Sequence, residues 1–151
     1  MDMRSEECFF DRTTYYKREM GWPLHRRFVS FTELADPEEL VETKLRTNRL
    51  ERDFMKEGRR LVNIDPGYVS LERLILATGK NYTHRVYLSK GIFADLTLIF
   101  QRGGFRALEW TYPDYAEDFS IAFFNSVRER YMTQLRESKS VKNLEEAIGE
   151  V

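Results

Sequence analysis

The chain has 151 residues, 42% of them apolar and 14% aromatic, and a formal net charge of −1 from 24 basic and 25 acidic side chains. That is one domain's length, and so even a balance of charge leaves out a protein held on nucleic acid mainly by counterion release. One cysteine, Cys8, excludes an internal disulfide and fits a reducing compartment. No apolar run nears the roughly 20 residues of a membrane span, and the first residues lack a signal peptide's apolar segment. A cytoplasmic protein with no membrane partner is expected.

Taken in order, residues 8–11 read as a short strand and residues 11–16 as a polar, aromatic loop. Gly21-Trp22-Pro23 breaks the chain, and residues 26–31 alternate like a strand. The basic pairs Arg26-Arg27 and Arg59-Arg60 have acids close by and read as solvated surface. Asp36 is a helix N-cap, Pro37 takes the first helical position and Glu39 completes a capping-box pattern. Gly58 is that helix's natural stop. A strand over 61–64 should end at Asp65-Pro66-Gly67, a turn. Ser70 should cap a short helix reaching Ala77.

Residues 83–88, 92–100 and 105–110 then form three strands, with turns at Ser89-Lys90-Gly91 and Arg102-Gly103-Gly104. Phe119, Phe123, Val127, Tyr131 and Leu135 mark the apolar stripe of a last helix running to about residue 137. Residues 138–151 read as a loosely held polar tail. The predicted fold class is α+β: an antiparallel sheet with a three-strand meander, packed by two long helices and one short helix, in a single domain over residues 1–137.

Placed at 100° steps, the first helix puts Glu42, Arg46, Arg49, Asp53 and Glu57 on its solvent face. The opposite arc holds Leu40, Val41 and Met55, but also Lys44, Thr47, Asn48 and Glu51. Buried charges need partners or a wet pocket. Two readings stay open: an internal network that fixes helix docking, or a ligand pocket. Asp65, at a strand end, suits an Asx turn, a base or a metal ligand. Alternation puts His84 on one strand face with Val86 and Leu88, and Arg85 on the other with Thr83 and Tyr87. The loop aromatics Tyr15, Tyr16, Trp110 and Tyr112 could stack on a base or a sugar, or close the rim of the core. Arg128, beside the last stripe, could hold an anion or pair with a carboxylate.

The catalytic candidates are therefore Glu51, Asp65 and His84. The ligand-binding candidates are Lys44, Asn48, Arg85, Trp110, Tyr112, Asp114 and Tyr16. No Walker loop, dinucleotide fingerprint, zincin helix, paired-Cys spacing or nucleophile elbow is present, so no cofactor is indicated. Two histidines and one cysteine make no conventional zinc site, and no metal is assigned.

Several strings occur together: Tyr15-Tyr16, Glu19-Met20-Gly21, Arg27-Phe28-Val29-Ser30-Phe31, Lys44…Thr47-Asn48…Glu51, Asn63-Ile64-Asp65-Pro66-Gly67-Tyr68, His84-Arg85-Val86-Tyr87-Leu88, Gly91-Ile92 and Trp110-Thr111-Tyr112-Pro113-Asp114-Tyr115. Over residues 8–137 the chain resembles the prokaryotic family catalogued as domain of unknown function 4416. The resemblance implies no specific reaction. Some relatives carry a GTP-binding label, although this chain has neither a phosphate loop nor an Asn-Lys-x-Asp string. Typical members begin with a further strand and helix; a missing strand leaves a sheet edge unpaired, so weaker monomer stability or a homodimer formed through that edge is expected. The resulting functional expectation is a binding protein or enzyme for an anionic small molecule, a nucleotide or phosphorylated metabolite. Its alternative is a non-enzymatic protein-interaction module in which the buried polar network is purely structural.

Overall fold

The computed structural model describes residues 1–10, 20 and 23–149, with side chains for 1–9, 20 and 23–138. The predicted loop that carries Tyr15 and Tyr16 lies outside the described residues.

The protein is α+β. Its centre is a five-stranded antiparallel sheet made by β5 (Gly67–Val69), β6 (Arg73–Thr78), β7 (Arg85–Ser89), β8 (Ile92–Gln101) and β9 (Gly104–Ala107). The order is β5-β6-β8, and the far side of β8 is shared. β7 pairs with residues 92–95 of β8 and β9 with residues 98–101. The sheet is thus wider than the expected three-strand meander. Two small sheets flank it: β1 (Cys8–Phe10) with β2 (Leu24–Arg26), and β3 (Met55–Lys56) with β4 (Arg59–Arg60).

Helix α1 (Leu40–Asp53) follows a 3-10 turn at Pro37–Glu39, and it is that turn which Asp36 caps, its side chain accepting the Glu38 N–H at 3.0 Å. Its Leu40 and Val41 pack with Ile75, Ala77 and Ile92 on one side of the sheet. Helix α2 (Asp118–Gly149) covers the other side, where Leu74, Leu98, Phe105, Tyr115 and Phe124 surround Phe28. The Phe28 ring lies 5.8 Å from Phe119 and 5.6 Å from Phe123, two members of the expected stripe, and 4.9 Å from Phe124, which the stripe did not include.

Several expected elements differ. Residues 70–77 do not form a helix; they turn and enter β6. A short apolar run such as Leu74-Ile75-Leu76-Ala77 fits a strand buried on both faces as well as it fits a helix. The Ser70 hydroxyl accepts the N–H groups of Glu72 and Arg73, closing a tight turn between β5 and β6. Gly67 lets β5 come close, since a Cβ there would stand 2.7 Å from Leu76 Cδ2. Helix α1 stops at Asp53, and Gly58 instead shares with Glu57 the positive-φ turn joining β3 to β4. The strand expected over 26–31 lies earlier, at β2, and beyond it residues 28–30 run beside residues 2–5 with an Arg4–Val29 bridge. The helix expected to end near residue 137 continues to Gly149.

Candidate functional site

The first polar cluster ties α1 to the segment ahead of β5. Lys44 is only 6% exposed. Its Nζ donates to the Ile64 carbonyl at 2.8 Å and lies 3.5 Å from Asp65 Oδ1. Glu51 Oε1 accepts the Ile64 N–H at 2.7 Å, and its Oε2 accepts from Arg60 at 3.1 Å. Arg60 also donates to Asn63 Oδ1 at 3.2 Å, and Asn63 in turn donates to Asp65 at 2.8 Å. Both backbone polar groups of Ile64 are therefore taken by helix side chains. That is why residues 61–64 are not the strand their sequence suggested: a strand needs those groups for its ladder. Asn48 is half-buried beside this cluster.

The second cluster surrounds Asp95, a buried acid on β8. Its Oδ2 accepts from Arg85 Nε at 2.7 Å and stands 3.4 Å from His84 Nε2. Arg85 also donates to the Lys80 carbonyl and to the Tyr112 hydroxyl, each at 3.0 Å. Burial works against the guanidinium charge, but the hydrogen bonds to Asp95 and Tyr112 outweigh it and raise the Arg85 pKa. The His84 ring stacks on Trp110, with centroids 5.1 Å apart and planes 10° apart. His84 Nδ1 is buried and has no hydrogen-bond partner among the described residues. Alternation had set His84 and Arg85 on opposite faces of a strand over 83–88. Instead β7 begins only at Arg85, which frees His84 to turn toward the same carboxylate.

The loop carrying Trp110 fills the gap that the sheet leaves. Between its β7 and β9 segments β8 has residues 96 and 97 unpaired on that edge. Trp110 Nε1 donates to the Leu96 carbonyl at 2.8 Å, and the Thr111 hydroxyl donates to the Thr97 carbonyl at 2.6 Å. Residues 110–111 thus satisfy acceptors that a third strand would otherwise have met.

Asp114 pairs with Arg26, whose guanidinium lies 4.2 Å from the centre of the Tyr115 ring. Burial pushes the Tyr115 hydroxyl up to about 12; the Arg26 charge pulls the other way, and Asp65 and Asp95 add to the rise. Tyr115 thus stands where fields from both clusters overlap. A cavity of about 20 Å³ opens beside it, lined by Cys8, Phe9, Arg26 and Asp114 among others, room for a single water. Neither the catalytic candidates nor Lys44 and Arg85 line it.

The family profile described as Domain of unknown function (DUF4416) matches residues 1–131. The chain belongs to the DUF4416 family. No curated protein and no solved structure matches it.

In this DUF4416 chain the candidates fall into groups. Lys44, Glu51 and Asp65 meet in one cluster, His84, Arg85, Trp110 and Tyr112 in another, and Asp114 joins a third contact; Tyr16 lies outside the described residues. No group of three or more His, Cys, Asp or Glu side chains able to hold a metal occurs among the described residues. Sequence reasoning passed over Asp95, Arg60 and Arg26. Asp95 had a signal, being the only acid in the apolar run Ile92–Gln101. Arg60 and Arg26 were read as solvated, yet each sends its head inward to a carboxylate, while Arg59 and Arg27 stay exposed. Arg128 donates to the Leu71 carbonyl at 2.7 Å and lies over the Phe100 ring.

Proposed function

We propose that this DUF4416 domain is a non-enzymatic protein-interaction module whose polar clusters brace the fold. One observation carries this reading. The two cations best placed to receive an anionic ligand are already engaged: Lys44 by Ile64 and Asp65, and Arg85 by Asp95, Tyr112 and Lys80. An anion would have to displace carboxylates that satisfy buried charges, which leaves those charges unpaired and is strongly unfavourable.

The same region offers a surface of another kind. β7 closes one end of the sheet, with no strand on its outer side among the described residues. Val86 is 67% exposed there, and Tyr82, Tyr87, Leu88 and Tyr112 are exposed with it. An edge strand with open N–H and C=O groups and an apolar face suits an extended segment of a partner protein, added as a further strand.

The test has two arms. Thermal-shift titration with nucleotides and sugar phosphates, with and without Mg²⁺, should leave the melting temperature unchanged. Affinity capture should return one stoichiometric partner with the native chain and lose it with Val86→Lys, a charge that blocks edge pairing. A saturable rise in melting temperature that disappears in Arg85→Gln would return the assignment to an anionic small molecule.

A further inference from the structure

Two exposed segments of opposite charge sit at the two ends of α1. Ahead of it, residues 31–39 are all exposed and carry four acids, Glu33, Asp36, Glu38 and Glu39, with no basic side chain. Phe31 is 70% exposed in this stretch, and Leu34 is exposed as well. Behind it, residues 52–59, the end of α1 and most of the β3-β4 hairpin, are all exposed. Residues 46–61 hold six basic and three acidic side chains, a net of +3 in a chain whose total is −1. Glu51 and Arg60 are paired inward, so residues 52–61 present Arg52, Lys56 and Arg59 against Asp53 and Glu57, a net of +1, and Arg46 and Arg49 add two exposed cations on the last turns of α1. Here too apolar side chains are exposed: Leu50, Met55, Leu61 and Phe54, the last at 57%.

The two segments cannot meet within one molecule. Helix α1 holds them apart with 14 residues, about 21 Å of rise. They can meet between two molecules. If two copies lie with their α1 helices antiparallel, the acidic segment of each faces the basic hairpin of the other. The contact is then made twice about a two-fold axis, which is the self-complementary arrangement of a closed dimer.

We infer that the protein forms a homodimer in which the hairpin of each copy, residues 52–61, docks on the acidic segment, residues 31–39, of the other. The choice of a second copy rests on complementarity of sign combined with apolar side chains in both halves. The interface differs from the β7 edge, so the two can fail separately.

Sedimentation velocity on the full chain tests this. The native protein should run at twice its chain mass at low ionic strength. Raising salt from about 50 to about 500 mM should weaken the dimer roughly tenfold or more, since the contact charges are exposed and screened. A hairpin variant, Arg52→Glu with Lys56→Glu and Arg59→Glu, should be monomeric. So should an acidic-segment variant, Glu33→Lys with Glu38→Lys and Glu39→Lys, with folding checked by circular dichroism. Mixed, the two should form a heterodimer, because each now presents two surfaces opposite to its partner's. Dimerisation that survives both variants but is lost in Val86→Lys would place self-association at the β7 edge and overturn the inference. A native chain that stays monomeric in low salt overturns it as well. So does a lowered melting temperature in the variants without change of mass, since the charges would then serve only the α1 dipole.

Discussion

Asp95 is the one acid of a mainly apolar strand, and its carboxylate is met there by the Arg85 guanidinium and the His84 ring. Arg85 reaches it from the next strand and His84 from the turn before that strand. Replacing it by alanine leaves the Arg85 guanidinium with the Lys80 carbonyl and the Tyr112 hydroxyl but without its countercharge. Breaking a buried pair from one side costs about 3–5 kcal/mol, so Asp95→Ala should lower unfolding free energy by that order in urea titrations, with Asp95→Asn losing less. A loss under about 1 kcal/mol would mean that Arg85 finds water instead. Tyr115 makes a different prediction, in alkali. Its folded pKa of about 12 lies above the ordinary 10.0, so the fold favours the neutral phenol. That contribution is whole below pH 10 and is lost as pH rises toward 12, with a total on the order of 2 kcal/mol. Unfolding free energy measured from pH 9 to 12 should fall more steeply in the native chain than in Tyr115→Phe, and equal slopes would refute the burial of the hydroxyl.

At the scale of elements, α1 is docked by charge as much as by apolar packing. Lys44 and Glu51 stand two turns apart and grip the carbonyl and the N–H of the same residue, Ile64. Glu51→Leu should cost about 2–4 kcal/mol, because it strands both the Ile64 N–H and the Arg60 head. Lys44→Met should cost less, and a double-mutant cycle should show coupling, since both side chains act through one peptide segment. Additive losses would show two independent anchors. The inward turn of Lys44 and Glu51 was legible from the 100° spacing, and the cap at Asp36 from Pro37 beside it. The partner of that polar face was not legible, because hydrogen bonds to the backbone of Ile64 leave no mark in side-chain periodicity. β6 was misread for a related reason: a strand buried on both faces has no alternation to show. The pairing of β8 with both β7 and β9 on one edge is likewise non-local, so the role of Trp110 and Thr111 in closing the gap could not be read from the loop itself.

Across the whole molecule the sheet separates two apolar cores, one around Phe28 under α2 and the other around Leu40 and Val41 under α1. Strands β6 and β8 belong to both, since their side chains alternate between the faces: Leu74 and Leu98 to the first, Ile75, Ala77 and Ile92 to the second. Two cores that share their central strands cannot be lost one at a time without exposing the back of the other, so unfolding should be a single cooperative transition. Leu40→Ala should remove about 2–5 kcal/mol through the cavity it leaves, and Phe124→Leu about 1–2 kcal/mol on the opposite side. With no shared contacts the losses should add to within about 0.5 kcal/mol. In urea, tryptophan fluorescence and far-ultraviolet circular dichroism should trace one curve for both variants and for their combination. Separate midpoints in Leu40→Ala, with the Phe28 side persisting after α1 has melted, would show that α1 is an appendage to the sheet. Its charged clamp, rather than the common strands, would then be what joins it to the domain.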